Sequence, residues 1–210
     1  MLPISLEHLI ENDNSYFQLS LEAINEIESK NSANPSYLYV LLTDTGTLFS
    51  KVAKKITNQP YNHVSIILDK YWEEIYSYDL VNSNGLKGGL VKENLTVLKG
   101  ASYSLYRIAI TEEKYKDVTE VVKNMSNEIN KTKYNHLGLI NAIFDKEIFE
   151  TNKETMICSQ FVVEILKVSG LTFFNKKPSS TVKPYDIVKS RMLQFVRRGK
   201  INPRKIIPLT

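Results

Sequence analysis

Short runs of β-prone apolar residues, and the way they are joined, limit the possible folds most. Such runs begin at residues 37, 63, 73 and 103, as in YLYVLL at 37–42. Residues 69–72 can turn the chain between the second and third runs, which predicts an antiparallel hairpin. No helix alternates regularly with these strands, so a βαβ series is not predicted. The sequence therefore predicts an α+β domain with a mainly antiparallel sheet packed by helices.

Helical periodicity predicts the elements that cover this sheet. Thr111 can cap a long helix that ends near Asn130. Further elements are predicted as helices at 48–56, 137–144, 158–170 and 184–192, a strand at 193–196, and a glycine-containing loop at 82–89. An apolar stripe at 15–30 is followed by a break, which predicts an N-terminal helical appendage over residues 1–35 and a main domain over 36–210.

Composition limits the compartment and the partners. The chain has 210 residues, of which 42% are apolar and 24% charged, as in ordinary globular proteins. The net charge is only +4, and we interpret the densest basic patch, at 197–205, as a solvated strand and tail rather than a nucleic-acid contact. The single cysteine excludes an intramolecular disulfide and fits a reducing compartment. No signal peptide or membrane span is visible, so the expected location is the cytoplasm, without stable membrane insertion.

Cys158 begins the amphipathic run CSQFVVEIL, which predicts a helix. A thiol in the first helical turn faces unpaired backbone N–H groups and the positive end of the macrodipole. Both favour the thiolate, which is the reactive form. A lone cysteine is more often a small buried residue, so a catalytic interpretation needs a base nearby.

His63 is the strongest candidate for that base, because it begins a strand and would be held rigidly. His8 lies in the predicted appendage, and His136 lies at a predicted helix start near the surface. A hairpin turn centred near residues 70–71 would place His63 opposite Ser77 and Tyr78. Period-two alternation puts Ser77 and Asp79 on one face of that strand and Glu74 and Tyr78 on the other. Since a one-residue slip exchanges these faces, the residue that orients His63 stays open among these four.

Other chemistries lack their motifs. One cysteine and three scattered histidines do not make a structural zinc site. The glycines at 85–89 lack the spacing of a phosphate loop, and the GxSxG motif of serine hydrolases is absent. We therefore expect no metal and no cofactor.

The motifs PYNHVSI at 60–66 and CSQFV at 158–162, in that order, resemble the circularly permuted papain-like proteins. This is the permuted NlpC/P60 group, which includes the YiiX/YebB-like proteins and is related to lecithin:retinol acyltransferases. In that group the His strand precedes the Cys helix. Weaker similarity in DTGT at 44–47, YNHLGL at 134–139 and the segment 177–186 extends the resemblance over roughly residues 36–190.

The resemblance implies a papain-like fold and a thiol hydrolase. Cys158 would be the nucleophile, His63 the base and Ser77 the third catalytic residue, at a position where many relatives carry an acidic residue. Substrate-binding positions would be Tyr61, Asp44 and Tyr134.

Three functions remain open from the sequence. The first is a cysteine peptidase or amidase that cleaves an amide bond in a peptide or a cell-wall-type peptide. The second is a lipid acyltransferase or esterase that uses the same Cys–His pair. The third is a non-catalytic binding protein on this scaffold, suggested because a serine at position 77 cannot stabilise an imidazolium as a carboxylate does. The expected partner is a small peptide, amino-acid or lipid-like substrate.

Overall fold

A six-stranded antiparallel sheet forms the centre of the protein. The computed structural model describes residues 35–45, 59–81, 87–148, 155–171, 177–190 and 192–209. The strands are β1 Ser36–Asp44, β2 His63–Ile67, β3 Ile75–Val81, β4 Lys87–Glu93, β5 Ser102–Ile110, β6 Lys133–Tyr134, β7 Thr155–Met156 and β8 Gln194–Lys200. The large sheet has the order β4-β3-β2-β1-β5-β8, and each neighbouring pair is antiparallel. The predicted α+β class with a mainly antiparallel sheet is confirmed.

The helices follow the sequence prediction, with some changes in their ends. They are α1 Glu112–Asn127, α2 Gly138–Phe144, α3 Cys158–Val168 and α4 Pro184–Ile187. Thr111 caps α1 as predicted, because its side chain accepts a hydrogen bond from the Lys114 backbone N–H at 3.2 Å. α4 is only one turn long, shorter than the predicted 184–192. The predicted helices at 15–30 and 48–56 lie outside the described residues. Among the residues that the structure describes, no helix is both long and apolar enough to cross a bilayer.

The main core lies between one face of the sheet and helices α1 and α3. Its sheet side is formed by alternate residues of each strand, as expected when one face is buried. Its largest fully buried members include Tyr78, Phe161, Leu38, Leu42, Ile66 and Leu90. A smaller core covers the opposite face, where Leu209 near the C-terminus packs with Trp72 and Leu41. The sheet is therefore covered on both faces, and this covering fixes the strands that carry the candidate site.

β4 is a strand that the sequence prediction missed. Its first residues, 87–89, fall in the segment predicted as a loop, because the glycines there suggest a turn. Gly89 instead permits a close approach between chains: an added Cβ would lie 2.6 to 2.8 Å from side-chain and backbone atoms of Thr132. The neighbouring Leu90 N–H donates to the Thr132 hydroxyl at 2.9 Å. This glycine lets the segment before β6 cover the outer edge of the sheet.

Gly89→Ala is expected to destabilise the protein by about 1–3 kcal/mol, because backbone atoms of Thr132 must move to admit the new methyl group. Gly199→Ala is the matched control in another edge strand, since its added Cβ meets Tyr103 at an ordinary 3.4 Å. Its effect should stay within about 0.5 kcal/mol. Urea unfolding of both variants measures the difference, and equal stabilities would contradict the close approach.

Candidate active site

Cys158 occupies the first position of α3, as the sequence predicts. The parallel pair of β6 and β7 leads the chain into this helix, and Met156 at the end of β7 accepts a hydrogen bond from Asn135 N–H at 2.9 Å. The N-cap residue of α3, Ile157, has no side-chain hydrogen bond to the first turn, so it does not neutralise the positive end of the helix. Ser159 fixes the same turn by donating to the Val182 carbonyl oxygen at 2.5 Å. The thiol is therefore held at a helix N-terminus, with Cys158 only 6% exposed.

His63 begins β2, and it is also held rigidly. It lies opposite Thr43 in the pairing of β2 with β1. The preceding residue, Asn62, donates its backbone N–H to the Thr43 carbonyl oxygen at 3.2 Å. His63 is 6% exposed, so its ring nitrogens depend on protein partners rather than on water.

Glu93, the last residue of β4, is the hydrogen-bond partner of His63. His63 Nε2 lies 2.6 Å from Glu93 Oε1, and both side chains are buried. The second carboxylate oxygen, Oε2, accepts a hydrogen bond from Ser65 Oγ at 2.5 Å. His63 and Ser65 are two residues apart on one strand, so their side chains share a face of the sheet. One carboxylate therefore binds two side chains of β2.

The Cys158 thiol lies beside the His63 imidazole. Burial alone would lower the pKa of His63, because it disfavours the charged ring. The charge of Glu93, hydrogen bonds to Cys158 and Glu93, and the charge of Cys158 outweigh burial and raise this pKa well above 6.5. Of the two ring nitrogens of His63, Nε2 is the one that binds Glu93. The arrangement is a sulfur, an imidazole and a carboxylate in series.

Ser77 does not orient His63, which corrects the sequence prediction. It is fully buried on β3, and its hydroxyl donates to the Val64 carbonyl oxygen at 2.7 Å. Its hydrogen bond therefore ties β3 to β2, while Glu93 binds the His63 ring. A serine at position 77 cannot supply the carboxylate that would stabilise the imidazolium. Glu93 supplies it from a different strand, β4.

The hairpin register also differs from the expected one. Ile66 lies opposite Tyr76. Continuing that register places His63 opposite Asp79, one residue beyond the predicted partners. Of the remaining candidates, Asp79 acts electrostatically on Tyr134.

Glu74 and Tyr78 have structural contacts of their own. Glu74 forms an ion pair with Lys92 at 2.5 Å on the surface. Tyr78 is fully buried, and its ring packs against Phe161 with centroids 5.4 Å apart. The first stabilises the pairing of β3 with β4, and the second packs β3 against α3.

Tyr134, a predicted substrate-binding residue, is buried and interacts electrostatically with Cys158. Burial raises the pKa of Tyr134 well above 10.0, and the charges of Cys158 and Asp79 raise it further. Its hydroxyl therefore stays protonated near neutral pH and can donate a hydrogen bond near Cys158.

Tyr61 and Asp44 lie on the side of the site formed by β1 and β5. The Tyr61 hydroxyl is 2.6 Å from Ser104 Oγ, and the Tyr61 ring packs near Tyr185 with centroids 6.5 Å apart. Asp44 ends β1 opposite Ser102, one residue after the partner of His63. Their substrate-binding role stays a prediction.

Comparison with known proteins gives no family assignment. The sequence matches no family model, and no curated protein is significantly similar to it. The likeness to the permuted papain-like proteins therefore depends on the motifs around His63 and Cys158. Among the described side chains, no group of three or more His, Cys, Asp or Glu could hold a metal ion.

Sequence reasoning missed Glu93 and Ser65. The predicted orienting residues all lie in or next to the strand that pairs with β2, whereas Glu93 lies on the strand after it. The available signal was the run LVKE at 90–93, a short alternating segment that directly follows the glycines. Ser65 could have been singled out because it lies two residues after His63.

Proposed function

We propose that this protein is a cysteine hydrolase that cleaves an amide bond in a peptide. The observation that carries the proposal is the buried series Cys158, His63 and Glu93, with the thiol at a helix start and the carboxylate 2.6 Å from Nε2. A nucleophile, a base and a group that orients the base are the parts that acyl transfer through a thiol requires.

The reaction would proceed in two steps. Cys158 Sγ attacks the carbonyl carbon, and the C–N bond breaks as His63 gives its proton to the leaving amine. Water then attacks the thioester while His63 takes a proton from it, which releases the acid and restores the thiolate. Backbone N–H groups in the first turn of α3 would stabilise the oxyanion in both steps. Glu93 would keep the imidazolium charged and correctly oriented.

A permuted papain-like fold is part of this proposal. It is supported by the antiparallel sheet, the His strand that precedes the Cys helix in the chain, and the packing of that helix against the sheet. The carboxylate partner of His63 also removes the reason for a non-catalytic scaffold, which was a serine in the orienting position.

The direct test is a covalent acyl adduct on Cys158. The full-length protein is incubated with a panel of short peptides and, separately, with fatty-acyl esters, and is then analysed by intact-mass spectrometry. We expect an adduct, or peptide cleavage, with wild type and neither with Cys158→Ala. Because the chain has one cysteine, the adduct can be assigned without mapping other thiols. Peptide cleavage that persists in Cys158→Ala would contradict the proposal.

Lipid-directed acyl transfer is the second candidate, favoured by one observation. Tyr61, Tyr106 and Tyr185 are only partly buried and pack against the core that includes Cys158. Burial raises the pKa of Tyr106, and the nearby Tyr185 and Tyr61 hydroxyls raise it further, so the three phenols lie close together. Aromatic rings of this kind can bind an acyl chain. Adducts from fatty-acyl esters without peptide cleavage would support this candidate over the amidase.

A further inference from the structure

Ser65 is the second side chain that binds the Glu93 carboxylate. Its Oγ donates to Oε2 at 2.5 Å, while Oε1 lies 2.6 Å from His63 Nε2. Ser65 is fully buried in the middle of β2, and Glu93 is also shielded from solvent. The two donors come from one face of one strand, and the acceptor comes from the edge strand β4.

The Ser65 hydrogen bond restricts how the carboxylate can turn. A glutamate has three side-chain torsions, and a single contact to His63 would leave rotation about the last of them poorly defined. With Ser65 bound to Oε2, the other oxygen is directed at the imidazole. Without Ser65, a buried carboxylate oxygen would lack its donor, which favours a shift of Glu93 toward other donors or solvent.

We infer that Ser65 is a positioning residue, which acts through Glu93 to keep His63 oriented and protonated for the reaction at Cys158. The inference deepens the proposed function and depends on it for its catalytic meaning. Its physical content, the coupling of Ser65 to the protonation of His63, can be measured without any substrate.

The other charged and titratable groups around His63 do not connect Ser65 to the protonation of its ring. The charged and titratable groups that act on its ring are Glu93 on β4 and Cys158 on α3. Cys158 and Asp79 act electrostatically on Tyr134. In the part of the chain that the structure describes, Ser65 donates its hydrogen bond to Glu93, which in turn binds the ring. A change at Ser65 is therefore expected to alter His63 through the carboxylate.

The matched control is Ser77, a fully buried serine on the neighbouring strand whose hydroxyl binds the Val64 carbonyl oxygen. Ser65→Ala and Ser77→Ala each remove one buried hydroxyl, so both lose stability for the same physical reason. Only Ser65→Ala removes a contact to Glu93. Ser65→Thr keeps a hydroxyl and is expected to restore the wild-type behaviour.

The experiment is an NMR titration of the histidine rings in the full-length wild type and the three variants. We expect the midpoint of His63 to fall by about one pH unit in Ser65→Ala, a tenfold loss in its protonation equilibrium, because Glu93 is no longer aimed at Nε2. The midpoint should stay at the wild-type value in Ser77→Ala and within a few tenths of a unit in Ser65→Thr.

Two outcomes would overturn the inference. One is an unchanged His63 midpoint in Ser65→Ala, and the other is an equal fall in Ser65→Ala and Ser77→Ala, which would show a general packing effect. If Ser65→Ala does not fold, Ser65→Cys takes its place in the titration, because a thiol donates only a weak hydrogen bond. A lowered His63 midpoint in Ser65→Cys would support the inference, and an unchanged midpoint would contradict it. The proposed function fails separately, when no acyl adduct forms on Cys158.

Discussion

Glu93→Gln is expected to slow alkylation of Cys158 by iodoacetamide at pH 7 by about 10- to 100-fold. The amide carries no charge, so it cannot hold the imidazolium that in turn favours the thiolate. Glu93 raises the pKa of His63, so the variant should have a lower His63 pKa than wild type. The difference in alkylation rate should be largest at pH values between these two pKa values, where the ring is protonated in wild type but not in the variant. Labelling followed by mass spectrometry measures the rates, and one cysteine gives one signal.

Further variants test whether the slower alkylation is specific to Glu93. Glu74→Gln is the matched control, since Glu74 is an acidic residue directly before β3 whose partner is the surface Lys92. Its alkylation rate should equal that of wild type. His63→Ala removes the base and should give the lowest alkylation rate. His136→Ala is its matched control, because His136 is exposed. Equal rates for Glu93→Gln and Glu74→Gln would show that the carboxylate does not activate the thiol.

Phe161→Ala is expected to lower the free energy of unfolding by about 3–5 kcal/mol. Phe161 is 0% exposed, and its ring packs against Tyr78, so truncation leaves a cavity between α3 and β3. Phe144→Ala removes the same ring from a site that is 68% exposed, and its effect should stay within about 0.5 kcal/mol. Urea unfolding monitored by circular dichroism compares the two, and a loss below about 1 kcal/mol for Phe161→Ala would contradict a rigid contact.

The sequence predicts the parts of the site that depend on local signals. Cys158 could be placed at a helix start because apolar periodicity begins there, and His63 at a strand start because the next five residues are small or apolar. The α+β class followed from the spacing of strands, and the cap at Thr111 from its residue type.

The carboxylate could not be predicted in the same way. Glu93 is 30 residues from His63 in the chain and binds it across an intervening strand. No local pattern encodes that contact, which depends on the twist of the sheet and on the register of three strands. The glycine at 89 concealed β4 further, because a residue typical of turns serves here to admit Thr132.

The attachment of β4 to Thr132 has a consequence for how the site opens. Thr132 binds Leu90 of β4, and two residues later Tyr134 pairs with Met156, which lies two residues before Cys158. The same short segment thus holds the strand that ends in Glu93 and the connection that leads to the thiol. Local unfolding at this edge would therefore displace Glu93 and Cys158 together. The backbone amides of the two segments should then exchange hydrogen at one shared rate, as a single cooperative unit.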